Sequence, residues 1–362
     1  MNNELILGTN DIVLFKRCRR KWNLSSRMRQ NLVQKTDFNH NLWFGTGFHF
    51  ALEDYHGYRR FKKPSQALQA YFNCFDEEKD LNEKCKELKK IGPGMLDYYS
   101  DIWLPARNYY KTHVVNGVPQ VEVKFKIKIP ELSKFFGKPV YYKFTLDRVV
   151  TDCYNRLWVM EYKTVSSFDE MKLETDSQAT RYAWGAEFVY NEPIVGVIWV
   201  QFKKENIQEP KILKNGSVST NKNQNTTYFK YRKALIETCG SIENASDAQK
   251  ETLKMFRAMD TEVGDNFIRY NLIQKNNEQK KNEYKKIINE ACDILNPKLR
   301  IYPNPTRDCA WDCPFRTVCL AMDDGGDWQH LLKENFIKEP EEDDSWRAKI
   351  KYPQEQNQLL QK

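Results

Sequence analysis

Asp147 and Glu161 lie at equal sequence distance from Tyr154, in two stretches that read as strands, and Lys163 follows Glu161 by two positions. Asp152 to Arg156 supplies a hairpin connection, so in simple antiparallel register the two carboxylates face each other. Like charges placed opposite one another destabilise a sheet unless something neutralises them, and a hard divalent cation with oxygen ligands does so. Lys163 projects from the same face as Glu161, whereas Met160 and Tyr162 point to the other. Two carboxylates, a cation and an ammonium are the parts needed to cut a phosphodiester. The cation activates water and stabilises charge in the transition state, and the ammonium orients water or phosphate. An ordinary polar network across the sheet is the competing reading.

The Glu-x-Lys tripeptide is not selective by itself, because it also begins at Glu87, Glu122 and Glu283, the last as Glu-Tyr-Lys again. Context separates the copies. Around Glu161 the pattern predicts strands over Tyr141 to Val150 and Leu157 to Thr164, a helix from about Thr175 to Tyr190, and an apolar strand over Ile194 to Phe202. Upstream, Val121, Val123, Phe125 and Ile127 alternate with Glu122, Lys124 and Lys126 as in a half-buried strand. Strand, strand, strand, helix, strand implies an α/β fold with a mixed central sheet flanked by helices, because a parallel return needs a crossover.

Helices are expected elsewhere. One follows Thr9-Asn10-Asp11 and carries Cys18. A second starts near Thr46 and puts His49 and Glu53 on one face. Residues 65–112 read as further helices broken at Gly92-Pro93-Gly94, Thr227 to Tyr231 as a short strand, and Glu278 to Leu295 as an amphipathic helix of an additional helical lobe.

Asp147, Glu161-Tyr162-Lys163 and Gln178-Ala179-Thr180-Arg181-Tyr182 together resemble the RecB-type branch of the PD-(D/E)XK nucleases, whose mark is the Gln-x-x-x-Tyr element. Gln178 and Tyr182 are four apart on a helix and share a face, so the resemblance makes them substrate-positioning residues or braces of the metal site. Gly45-Thr46-Gly47-Phe48-His49 resembles the upstream helix of the same branch, in which a histidine joins the metal ligands. Glu122 matches an upstream acidic residue of the family's first strand. The resemblance therefore implies a restriction-endonuclease-like fold in which His49, Asp147 and Glu161 hold Mg2+ or Mn2+ and Lys163 assists attack by water. It spans about residue 9 to residue 320.

The nine cysteines are an odd number, and a reducing compartment favours ligand roles over disulfides. Cys309, Cys313 and Cys319 fall within eleven residues, which leaves one ligand position open. The resemblance supplies it. RecB-type nucleases with an iron-sulfur cluster, including AddB-type helicase-nucleases and CRISPR adaptation exonucleases, pair one early cysteine with three late ones, and Cys18 matches the early one. Four thiolates hold a 4Fe-4S cluster, and structural zinc is the competing occupant. Three residues separate Cys309 from Cys313, where many relatives have two. Cys74, Cys85, Cys153, Cys239 and Cys292 read as packing residues.

The 362 residues with 40% hydrophobic content are enough for one sizeable core. The reading is a single nuclease domain over residues 1–322 and a peripheral tail over 323–362. No signal peptide or membrane span is legible, so the chain is expected in a cytoplasm, bacterial or that of the host if a phage encodes it. Net charge is only +8, but Lys16-Arg17, Arg19-Arg20-Lys21, Arg27 and Arg29 crowd one segment, which suggests a polyanionic partner. The expected function is a DNA exonuclease acting on single strands or free ends in recombination or repair, beside a helicase or recombination partner. A non-catalytic iron-sulfur module that binds DNA, or one that senses redox state, is the alternative from another class.

Overall fold

The computed structural model describes residues 4–35, 39–75, 81–107, 109–261, 264–339 and 345–353. A mixed sheet forms its centre. The strands that matter here are β1 (Leu5–Gly8), β2 (Val121–Lys128), β3 (Val140–Thr151), β4 (Leu157–Val165), β5 (Ile194–Lys203) and β6 (Ile268–Gln274). β3 pairs with β2 along one edge and with β1 and then β4 along the other, and the sheet continues from β4 through β5 to β6. β4 and β5 are parallel and are joined through the helix Ser177–Tyr190, while β2, β3 and β4 pair antiparallel.

Helices cover both faces, as an amphipathic element must bury its apolar side somewhere. Against one face pack Phe44, Phe48, Leu68, Leu96 and Tyr99, from His40–Glu53 and the helical segments up to Trp103. Against the other pack Ile12, Ala183, Ile287 and Ala291, from Thr9–Arg17, Ser177–Tyr190 and Asn277–Ile294. A smaller cluster around Tyr231, Leu235 and Phe256 joins Tyr228–Cys239 to Asp247–Met259. No helix among the described residues is long and apolar enough to cross a membrane.

β3 changes phase at the residues that matter. Tyr142, Phe144 and Leu146 pack in one layer, but beyond Asp147 it is Val149 that joins that layer and Val150 the opposite one. The pairing explains the break. β1 holds the first part of one edge, Val140 to Lys143, and β4 holds Arg148 to Thr151 of the same edge. Between them the sheet splays, and Asp147 sits at the opening.

Several elements differ from the sequence reading. The helix expected to break at Gly92-Pro93-Gly94 runs through as Glu83–Tyr98. An internal proline costs a hydrogen bond, but Gly92 lies so close to Phe44 and Leu68 that a Cβ there would come within 2.8 Å of the Phe44 ring, and this packing outweighs propensity. Thr227 to Tyr231 is a helix start rather than a strand, because the Thr227 hydroxyl accepts the Lys230 N–H at 3.3 Å and Tyr231 and Leu235 then share the buried face. The helix expected from Thr46 begins at His40. Cys18 is not helical. It sits extended between Thr9–Arg17 and Arg19–Ser25. The tail, read as peripheral, contributes Trp346 and Ile350 to the first core cluster, and Phe336–Lys338 pairs with Leu32–Gln34.

Candidate active site

Three adjacent strands bring acidic residues into one row. The pairs Arg148↔Met160 to Thr151↔Leu157 have the register that symmetry about Tyr154 predicts, which sets Glu161 opposite Asp147. On the other side Val121↔Arg148 and Val123↔Leu146 set Glu122 opposite Asp147 as well. Glu122 adopts φ 47°, a left-handed backbone that a non-glycine residue rarely takes.

His49 reaches this row from the helix layer on the other side of the splay. Its Nδ1 lies 3.0 Å from Glu122 Oε1 and 3.3 Å from Asp147 Oδ1. Ligand atoms of His49, Glu122 and Asp147 all fall within 4.8 Å of one another. Asp147 Oδ2 accepts the Tyr162 N–H at 2.8 Å, a backbone donor freed by the splay. Glu161 Oε1 takes the Lys163 ammonium at 2.7 Å and the Gln178 amide at 3.3 Å, while its buried Oε2 has no partner. The Gln178 amide also donates to the Tyr182 hydroxyl at 2.7 Å. Lys163 lies over the Trp199 ring, 5.4 Å from its centroid.

Electrostatics sort these groups. Burial pushes the Glu161 carboxyl up to about 8, with Asp147 adding to it and Lys163 and His49 opposing. Burial also raises Glu122, against the pull of His49. For Asp147 burial works the same way, but His49, Lys163 and the Tyr162 N–H together hold it below the usual carboxylate range. Burial opposes charge on His49, yet Asp147 and Glu122 keep the imidazole well above the ordinary histidine range. In Lys163 burial likewise loses to Glu161 and Asp147, so the ammonium persists. Burial thus disfavours charge on Glu122 and Glu161 while Asp147 stays ionised, and a cation placed among these carboxylates would favour their charged forms.

The sequence expectation joined His49, Asp147 and Glu161. The structure gathers His49, Asp147 and Glu122 into the tightest group, with Glu161 on the neighbouring strand. The resemblance matches Glu122 to the family's upstream acidic residue without counting it among the metal ligands, and local pattern does not place it, since its register depends on pairing across the intervening helix Pro130–Phe136. Arg181, inside the Gln-x-x-x-Tyr element, carried no signal of its own. It is buried and bridges Glu283 and Glu290 at 2.8 Å each, which locks the Gln178 helix onto Asn277–Ile294.

The four cysteines line a seam between the chain's two ends. Cys18 Sγ accepts the Lys21 and Asn304 N–H groups at 3.5 and 3.4 Å, and Cys309 Sγ accepts the Thr306 N–H at 3.4 Å. The Arg20 guanidinium donates to Cys319 Sγ at 3.1 Å. Burial pushes the Cys313 thiol up, with Phe315 and Lys21 opposing and Cys309 and Cys18 close enough to add to it.

The basic segment does not stand free for a polyanion. Lys16 pairs with Glu290, Arg17 with Asp308 and Asp312, Arg20 with Asp323, and Arg27 with Glu339. Arg19 and Arg29 lie over aromatic rings. These cations fasten the early helices to late parts of the chain.

No curated protein matches this chain. The sequence model of the PD-(D/E)XK nuclease superfamily matches it over residues 9–320, a span that begins with the first helix and ends just past Cys319. That match takes in every strand of the acidic row, the sheet is of the mixed kind the family builds, and the chain belongs to the PD-(D/E)XK nuclease superfamily.

Proposed function

We propose that the protein is a metal-dependent deoxyribonuclease that digests single-stranded DNA from free ends, with Asp147, Glu161 and Lys163 as catalytic residues. The observation that carries this reading is the row Glu122, Asp147, Glu161 across three strands, with His49 on one end and Lys163 on the other. Carboxylate oxygens and one imidazole suit Mg2+ or Mn2+, and the unpartnered Glu161 Oε2 leaves a lone pair for it. When bound, such an ion supplies an activated water and neutralises charge on the phosphate. Lys163 holds an ammonium at Glu161 to orient that water or a phosphate oxygen. Gln178 and Tyr182 fix the Glu161 carboxylate and line the approach. End-directed digestion fits a place beside a strand-separating helicase or recombination partner.

Linear and circular single-stranded DNA, incubated with Mg2+ or Mn2+, test the reading. Linear strands are expected to disappear while circles persist. Nicked circles would sink end-directed action, and the absence of metal-dependent cleavage of any DNA would sink the nuclease.

The same proposal assigns Cys18, Cys309, Cys313 and Cys319 to a 4Fe-4S cluster. Its support is the meeting of the early and late cysteines in one seam, with N–H and guanidinium donors directed at the Cys18, Cys309 and Cys319 sulfurs as hydrogen bonds surround cluster ligands. Protein purified without oxygen is expected to contain iron and acid-labile sulfide in equal amounts, both lost in Cys313→Ala. Stoichiometric zinc in their place refutes the cluster.

A further inference from the structure

We infer that a cavity at the carboxyl end of β5 is a nucleobase subsite, taking one unpaired base of the strand whose scissile phosphate lies at Glu161 and Lys163. The inference rests on the nuclease reading above and extends it to how the substrate strand is gripped.

The sheet register sets its location. Glu161 pairs with Trp199, Lys163 with Gln201 and Val165 with Lys203. Trp199, Gln201 and Lys203 alternate on one face of β5; Trp199 and Gln201 are buried there, but Lys163 and Lys203 are half-buried at the carboxyl ends of β4 and β5, and a strand crossing those ends reaches Lys203 about 13 Å from the level of Glu161. That is about four nucleotides at duplex rise and fewer if the strand is extended.

A cavity of about 310 Å³ opens there, lined by Phe168, Lys203, Glu205, Asn225, Thr226 and Asn266 among others. Its size is at the lower end of the range for ligand pockets. Three buried polar groups here lack partners, the Trp199 indole N–H among them. Thr226 lines the cavity and is only 3% exposed, and its hydroxyl makes no hydrogen bond. Gln201 is 3% exposed as well, and its Oε1 has no donor. Each such group costs its desolvation without return, and the Thr226 hydroxyl lies where an occupant of the cavity can complete it.

The lining chemistry selects the occupant. Lys203 and Glu205 lie 2.6 Å apart and neutralise each other, which disfavours a bare phosphate. The Asn225 and Asn266 amides, the Thr226 hydroxyl and the Glu205 carboxylate offer the donors and acceptors that read a base edge. Phe168 supplies a half-buried ring. The Arg269 guanidinium lies over it at 4.7 Å and is itself tied to Glu170 at 2.7 Å, which holds the ring in place for stacking.

Fluorescein-labelled single-stranded oligodeoxynucleotides, each carrying one abasic position at a successive distance from the end, test this by anisotropy. They are bound with Ca2+ to the full chain carrying Lys163→Ala. One position is expected to weaken binding about tenfold. In Phe168→Ala, and in Asn225→Trp, which fills the cavity without removing packing, that position costs nothing further. A flat scan, or a position-specific loss that persists unchanged in both variants, overturns the subsite. If wild type still cleaves the same oligonucleotides, only the subsite falls. If nothing is bound or cleaved, the nuclease reading falls first.

Discussion

Lys163→Ala is expected to lower kcat for DNA cleavage about 10³-fold while KM for the strand changes little. The ammonium is the cation nearest Glu161, at 2.7 Å, and it is held charged by Glu161 and Asp147 against the burial that opposes it. Its interaction grows as negative charge develops on the phosphate, so its loss falls on the transition state rather than on ground-state binding. Lys163→Arg keeps the charge but forks it into a crowded place over Trp199, and an intermediate rate is expected. The internal control is Lys285→Ala. Glu283-Tyr284-Lys285 repeats the tripeptide, but there Glu283 is buried on Arg181 in a helix and Lys285 is exposed, so the rate is unchanged. Steady-state cleavage of end-labelled single strands reads all three. A Lys163→Ala enzyme within a few-fold of wild type removes Lys163 from the centre.

What could be read from the sequence was mostly local. The hairpin over Asp152 to Arg156 forms because Asp152 accepts the Tyr154 and Arg156 N–H groups and Asn155 takes φ 58°, and symmetry then gives the register of Glu161. Gln178 and Tyr182 meet because four residues are one helical turn. The distant pairings were not legible. Glu122 joins the row through a register set far along the chain. β1 enters as a parallel edge strand from the first few residues. The helix through Pro93 persists because of what packs on Gly92. The basic run was legible as charge but not as ion pairs, since its partners Asp308, Asp312 and Asp323 lie 291 to 303 residues away.

Freed of divalent metal by chelation, the protein is expected to lose stability as pH rises from about 5 to 8, by an amount on the order of a few kcal/mol. The sign follows from two groups. Glu161 keeps its proton in the folded state up to about 8, whereas the unfolded chain releases it near the ordinary value of 4.5, so across that window the folded state binds more protons and stability falls. His49, raised well above its ordinary 6.5 by Asp147 and Glu122, adds a loss in the same direction once pH passes that value. Asp147 acts oppositely. Held below 3.8, it contributes stability that is present above that value and lost only as pH drops beneath it, outside the window. Bound Mg2+ or Mn2+ is expected to offset the trend. An ion held by deprotonated Glu161 and neutral His49, as proposed above, would contribute more as pH rises, so the loaded protein is expected to be more stable than the chelated one by a margin that widens toward pH 8. Thermal midpoints measured across pH with chelator and with Mn2+ give the two slopes, and Glu161→Gln is expected to flatten the first. A chelated midpoint that holds steady or rises from pH 5 to 8 would mean that the acidic row does not carry the strain from which its metal site is argued.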